Sequence, residues 1–182
     1  ARMAVDVEPF SLVDPSGWEE FVRFMTANAF PFHMNPSPTR EGLESRREEG
    51  DFDGPDNAVI AARVRGELIG FVVVEDLESI APLFDIRLAN QARGKGMGTE
   101  TVRELVRYLF QNYPNIVRIE GQTREDNVAM RKAFLRSGFV KEAHYRKAWP
   151  TAEGSLRDAV AYGLLRSDFE TGQTTPLVWD EL

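Results

Sequence analysis

The spacing of apolar positions changes several times along the chain, and each change marks an element. Val5 to Leu12 alternates and predicts a first strand. Trp18, Phe21, Val22 and Met25 fall at helical spacing behind Ser16 and Glu19, a pair spaced as a capping box, so a helix is expected from about Ser16 to Asn28. The three prolines of "FPFHMNPSP" (30–38) stop that pattern. Ser37-Pro38 reads as the cap and first turn of a charged second helix that ends near Gly50.

Sheet follows. "NAVIAARV" (57–64) and "ELIGFVVVED" (67–76) are rich in valine and isoleucine and join through Arg65-Gly66, a hairpin signal, and "LFDIRLAN" (83–90) reads as another strand. Val102, Leu105, Val106, Leu109, Phe110 and Tyr113 form an unbroken helical stripe that Pro114-Asn115 ends. "IVRIEGQ" (116–122) is a short strand. "DNVAMRKAFLRSGF" (126–139) is a helix with Met130, Ala133, Phe134 and Ser137 on one side and Gly138 as its stop. Two final strands, "FVKEAHYRKAW" (139–149) and "RDAVAYGLL" (157–165), flank "PTAEGS". The order β-α-α-β-β-β-α-β-α-β-β describes a single α/β (α+β) domain over 1–182, with its core at about 5–166 and a C-terminal tail at 167–182.

Composition narrows the chemistry. At 182 residues, 42% of them hydrophobic, the chain can build one ordinary core. No run of eighteen apolar residues occurs, and "ARMAVDVEPF" lacks the plan of a signal peptide, so a soluble, cytoplasmic protein away from membranes is expected. Zero cysteines exclude disulfides and thiolate nucleophiles, and two histidines, His33 and His144, are too few for an ordinary zinc cluster, so no metal is expected. The net charge of −7 argues against nucleic acid; it favours cationic partners or simply aids solubility.

The chemistry-bearing stretch is "NQARGKGMGTETVRELVRYLF" (90–110). A strand, a glycine-rich turn and a helix N-terminus aim backbone N–H groups and the helix dipole at one spot, which suits a phosphate or pyrophosphate. Gly94, Gly96 and Gly98 let the backbone approach an anion, and Arg93 and Lys95 add charge. A tight strand-to-helix connection needs only one glycine. A P-loop needs Ser or Thr directly after Gly-Lys, but Lys95 is followed by Gly96. A dinucleotide fingerprint from Gly94 would need glycine where Thr99 stands; Glu120 lies where its ribose-binding acid belongs, yet four strands precede the turn that should follow the first.

"RGKGMG" resembles the R-x-x-G-x-G/A signature of the GNAT superfamily of acyl-CoA-dependent N-acetyltransferases. In "NVAMRKAFLRSGF", Asn127 is followed eleven and twelve residues later by Gly138-Phe139, which is similar to the family's second landmark. The ending resembles the branch of ribosomal-protein N-terminal acetyltransferases, and the likeness spans roughly residues 5 to 166. The resemblance implies the GNAT fold, a mixed, mostly antiparallel sheet of about seven strands with four helices. It implies acetyl-CoA as cosubstrate, its pyrophosphate on the backbone of Arg93, Gly94, Lys95, Gly96, Met97, Gly98 and Thr99. The preceding strand, bulged and splayed, would offer main-chain groups of Ile86, Arg87 and Leu88 to the pantetheine arm, with Asn127 touching the same arm or serving as a plain helix cap.

The reaction implied is direct attack of an amine on a thioester, without a cysteine carrier. Glu120, ahead of Glu75 and Asp85, takes the place of the family's basic glutamate. The family's acidic tyrosine falls on Phe134 and an alternative serine on Met130, neither able to donate a proton. Tyr145 is then the candidate acid, with Tyr162, His144 and water as alternatives. A peptide α-amino group loses its proton more readily than lysine by about 3.7 kcal/mol, which points to a peptide N-terminus or a weakly basic small molecule as acceptor. An antibiotic-type amine acetyltransferase and a non-catalytic acyl-CoA-binding module stand as alternatives, and a homodimer beside a monomer. Phe30, Phe32, His33 and Met34 line an acceptor pocket or plug the core beneath it, and Trp149-Pro150 joins that wall or an interface.

Overall fold

The computed structural model describes residues 3–180. The alternating segments become β1 (Asp6–Pro9), β2 (Ala58–Val64), β3 (Glu67–Glu75), β4 (Leu83–Leu88), β5 (Arg118–Arg124), β6 (Val140–Pro150) and β7 (Leu156–Leu165). They form one sheet in the order β1-β2-β3-β4-β5-β7-β6. Every pairing is antiparallel except β4 with β5, and the helix between those two supplies the crossover that a parallel pair requires. Arg65 and Gly66, both at positive φ (52° and 79°), close the β2–β3 hairpin as expected.

The helices are α1 (Pro15–Ala27), α2 (Arg40–Glu48), α3 (Met97–Asn112), α4 (Val128–Arg136) and α5 (Arg166–Thr171), so the described residues hold five where four were expected. α3 and α4 cover one sheet face, where Leu105, Leu109 and Phe134 meet Val72, Phe84, Ile119 and Tyr162. α1 and α2 cover the β1–β3 half of the other face, where Trp18, Phe21, Leu43 and Phe52 meet Val59, Phe71 and Val73.

Caps differ from the sequence reading. Asp14, not Ser16, caps α1: its Oδ1 accepts the Ser16 N–H at 3.1 Å and Pro15 fills the first helical position. Glu19, freed from a capping box, takes a bidentate bond from Arg40 of α2 at 2.9 and 2.7 Å. Thr39 rather than Ser37 caps α2, through a 3.1 Å bond from Gly42 N–H.

The start of the tail is packed. Arg166 opens α5 and donates to the carbonyls of Phe110, Tyr113 and Ile116 at 3.0, 2.7 and 2.6 Å, satisfying groups that the end of α3 leaves over. Phe169 packs on Phe110 with ring centroids 5.0 Å apart, and the buried Asp168 accepts two bonds from Thr175.

Phe134 is core. It is 1% exposed, stacks on Tyr162 at 4.9 Å and lies against Gly121 of β5, where a Cβ would fall 2.5 Å from the ring. Gly121→Ala should therefore cost about 1–3 kcal/mol through overpacking. A thermal melt checks this, and adding Phe134→Leu should recover part of the loss, a non-additivity expected only of touching residues.

Candidate active site

The parallel β4–β5 ladder lasts for two pairs, Leu83 with Glu120 and Phe84 with Gly121, and then the strands part. On the other side β4 stays in register with β3 from Glu75–Leu83 to Gly70–Leu88, so the splay occurs without the expected bulge in that ladder. Ala89 N–H bonds Ile69 C=O at 2.8 Å. By the alternation of an antiparallel ladder, Arg87 and Asp85 therefore spend their main-chain groups on β3, while those of Ile86 and Leu88 face the gap. Arg87 is thus removed from the main-chain ligands expected on this strand. Leu88 C=O already accepts from Arg93 Nη2 at 3.1 Å, which leaves Ile86 and the Leu88 N–H free toward the gap.

A groove of about 500 Å³ runs from the gap along the N-terminus of α3 and the side of α4. Ile86, Leu88, Arg93, Gly94, Gly96, Gly98, Thr99 and Asn127 line it. Asp14, Thr39 and Asn127 cap α1, α2 and α4 with side chains, whereas α3 begins on Gly96 in the left-handed region with no side-chain cap. Its first-turn N–H groups therefore remain available to an anion in the groove. Gly94 and Gly96 have positive φ, but Gly98 does not, and a Cβ built on Gly98 would meet only Leu88, at an ordinary 3.7 Å. Nothing in the protein requires glycine at 98.

The basic residues divide. Arg93 lines the groove but its guanidinium is engaged by the protein, bonding Ala29 C=O as well as Leu88 C=O and lying over the Phe30 ring. Burial pushes its guanidinium below the usual value. Lys95 is exposed and does not line the groove, and the Met97 side chain is buried with Val5, Ala62 and Ile69, so Met97 can contribute only main-chain groups. Lys132 and Arg136 of α4 also line the groove. They escaped the sequence reading, although their i, i+4 spacing beside the α4 apolar stripe was a visible signal. Asn127 has both anticipated roles open to it: its Oδ1 accepts Met130 N–H, its Nδ2 donates to Thr123, and it lines the groove.

At its inner end the groove meets a small cavity of about 40 Å³, and Phe32, His33, Ile86, Asn127 and Met130 line both. Across the junction His33 Nε2 lies 2.8 Å from Asp85 Oδ1. Arg87 Nε donates to the other Asp85 oxygen at 3.3 Å, and Arg87 is itself fixed by Asn35 C=O and the Phe30 ring. Burial opposes ionisation of Asp85, but the charge and hydrogen bond of His33, with Arg87 behind them, hold its carboxyl well below the usual carboxylate range. Trp149 also lines the small cavity, and its buried Nε1–H has no hydrogen-bond partner among the described residues.

Residues 5–140 match the acetyltransferase (GNAT) domain family. The chain belongs to that family. YdaF of Bacillus subtilis (strain 168), named for ribosomal N-acetyltransferase activity, is 26% identical over 150 residues, which cover 76% of this chain and 77% of YdaF. Among solved structures, Vibrio cholerae spermidine N-acetyltransferase in complex with CoA and spermine aligns with a TM-score of 0.71 at 16% identity, over 91% of this chain and 98% of that one. Mycobacterium smegmatis RimJ in complex with CoA-disulfide aligns at 0.66 and 16%, over 90% and 83%. These similarities establish the shared GNAT fold, and the acetyltransferase is an enzyme of that class.

The expected catalytic pair is not brought together. Glu120 lines neither cavity; its carboxylate accepts from Arg118 at 3.3 Å and from Gln122 at 3.0 Å, and Gln122 stands between it and the small cavity. Tyr145 is 48% exposed on β6 and also outside both cavities. Glu120 registers with Gly163 and Tyr145 with Ala159, two strands over and four positions along, a separation of about 17 Å from strand spacings. Of the alternatives, Tyr162 is 2% exposed with its hydroxyl accepting from Arg131, and His144 is paired with Asp158. Glu75 is exposed, and burial of its stem with neighbouring acids pushes its carboxyl up.

Among the described residues no three His, Cys, Asp or Glu side chains are grouped to hold a metal, and no helix is long and apolar enough to cross a membrane.

The depressed Asp85 value has a stability consequence. Because its carboxyl is more acidic folded than unfolded, ionised Asp85 stabilises the fold above the ordinary value of about 4 and loses that effect as pH falls toward the folded value. Asp85→Asn should therefore lower Tm at pH 7, and the gap from the parent should narrow steadily below about pH 4, as melts across pH will show.

Proposed function

We propose that the protein transfers the acetyl group of acetyl-CoA to a primary amine by direct attack within a ternary complex. The observation that carries this reading is the uncapped, glycine-led N-terminus of α3 opening into a groove that reaches the β4–β5 gap. The pyrophosphate sits on the main chain of residues 94–99, with Lys132 and Arg136 supplying charge beside it. The pantetheine arm passes Ile86, Leu88 and Asn127, and the thioester arrives at the junction with the small cavity. Since the chain has no cysteine, no acyl-thiol intermediate forms on the protein. Glu120 and Tyr145 keep no part in this reading, because both lie outside the cavities.

A peptide N-terminus is the acceptor favoured. Its α-amino group is the easier of the two biological amines to deprotonate, and it carries a carbonyl close to the nitrogen. The unpartnered Trp149 N–H in the small cavity is a donor for that oxygen, and pairing it removes a penalty of about 1–3 kcal/mol. The YdaF name, which points to a ribosomal acceptor, is consistent with this choice, whereas the spermidine acetyltransferase structure keeps a small polyamine as the rival acceptor.

Thiol release from acetyl-CoA with a panel of short peptides, free lysine and spermidine decides between them. Faster release with peptides, abolished by blocking the α-amino group, is expected; a preference for lysine or spermidine would overturn the acceptor assignment. Tight CoA binding with no thiol release on any amine would instead mark a binding module.

Gly98→Ala tests the cofactor assignment independently. Replacing a helical glycine that touches little should stabilise the free protein by up to about 1 kcal/mol. The added methyl should obstruct the pyrophosphate and weaken CoA binding roughly tenfold or more, a cost of about 1.4 kcal/mol or above. Melting and calorimetry on the same variant measure both effects.

A further inference from the structure

We propose that His33 is the proton acceptor of the transfer and that Asp85 is its positioning residue, an assignment that rests on the acetyl-transfer reading above. The two residues are 52 positions apart in sequence and meet at 2.8 Å at the one place where the groove and the small cavity join. His33 lines both spaces, as a group must if it is to touch an amine entering from one and a thioester entering from the other.

The ring is held before any ligand arrives. His33 N–H bonds Phe30 C=O at 3.0 Å, Phe30 N–H bonds Pro36 C=O at 2.8 Å, and the Phe30 and His33 rings meet edge-on at 5.7 Å. Phe30 is 2% exposed and carries the guanidinium groups of Arg87 and Arg93 over its faces. The segment is tied a second time to the turn that follows β4, since Asn90 accepts from Ala29 N–H at 3.2 Å and donates its own N–H to Asn28 at 2.9 Å. With Nε2–H donating to Asp85, Nδ1 is the nitrogen left with a lone pair, and among the described residues no hydrogen bond reaches it.

The step balances on this one side chain. The neutral amine nitrogen forms the C–N bond to the thioester carbonyl carbon while its surplus proton passes to His33 Nδ1; the C–S bond breaks, and the imidazolium returns that proton to the CoA thiolate. One proton leaves nitrogen and one reaches sulfur, so no separate acid is needed, and Phe134 can stand where relatives are expected to place a tyrosine. Asp85 stabilises the imidazolium between the two transfers.

The charged groups around the pair are Arg87 from β4, which bonds Asp85, and, one ring removed, Arg93 from the glycine turn over Phe30 and Arg124 of β5 over Phe32 at 5.0 Å. Glu75 from β3 and Arg46 from α2 act on Asp85 and Arg87 from farther away.

The test is the pH dependence of thiol release from acetyl-CoA with the most active amine of the panel, for the parent protein, His33→Gln and Asp85→Asn, with CoA affinity measured calorimetrically on each. His33→Gln can still bond Asp85 but cannot take a proton; kcat should fall by roughly 10²-fold or more, CoA affinity should hold, and the acid limb of the profile should vanish. Asp85→Asn should lower kcat while keeping both the acid limb and the CoA affinity, as expected of a residue that positions the ring rather than taking the proton. A purely structural His33 would weaken CoA binding and leave the limb in place. Parent-level turnover and pH profile in His33→Gln would overturn the assignment alone. No thiol release by the parent protein with any amine would overturn the acetyl-transfer reading and the assignment with it.

Discussion

The whole site depends on an interrupted parallel ladder. Backbone amides inside a protein must find partners, and a parallel pair of strands ordinarily supplies them along its length. Here β4 and β5 do so for two residues and then diverge, which strands the main-chain groups of Ile86 and the N–H of Leu88 beside a groove. The sheet tolerates the break because each strand is secured elsewhere, β4 by six consecutive pairs to β3 and β5 by seven to β7. An extended ligand with amide groups of its own is the natural partner for such an edge.

The segment between α1 and α2 gains its order from cations. Arg87 and Arg93 both bond its carbonyls and both lie against Phe30, so Arg93, a guanidinium that the sequence offers to a phosphate, holds a polypeptide loop instead. The division of labour is reasonable on electrostatic grounds. The bare N–H groups at the head of α3 already attract an anion, and Lys132 and Arg136 reinforce them from α4, so a third cation at the turn is free to fix the wall of the acceptor side.

Much of this was legible in the amino-acid sequence because it is written in short-range patterns. The α3 stripe, the Arg65-Gly66 hairpin, the three glycines and the Asn127 landmark depend on neighbours within a few positions, and the sheet follows from their order. What escaped notice is made by distance. His33 and Asp85 join across 52 residues, and nothing near either one announces the other. Glu120 looked catalytic by its place on β5, but Arg118 and Gln122 engage its carboxylate, and which way a strand residue's partners lie is set by the neighbouring strands. α5 was missed because six residues are too few to show a period, and it is held by Arg166 through carbonyls around the end of α3.

The seat of Phe134 over the bare Cα of Gly121 also bears on how this lineage can vary. A ring on α4 and the lack of a side chain on β5 are two halves of one fit, so neither position drifts alone. Descendants that enlarge residue 121 must shrink residue 134 in the same stroke or pass through a weakened ancestor, and an alignment of close relatives should therefore show the two columns changing as a pair.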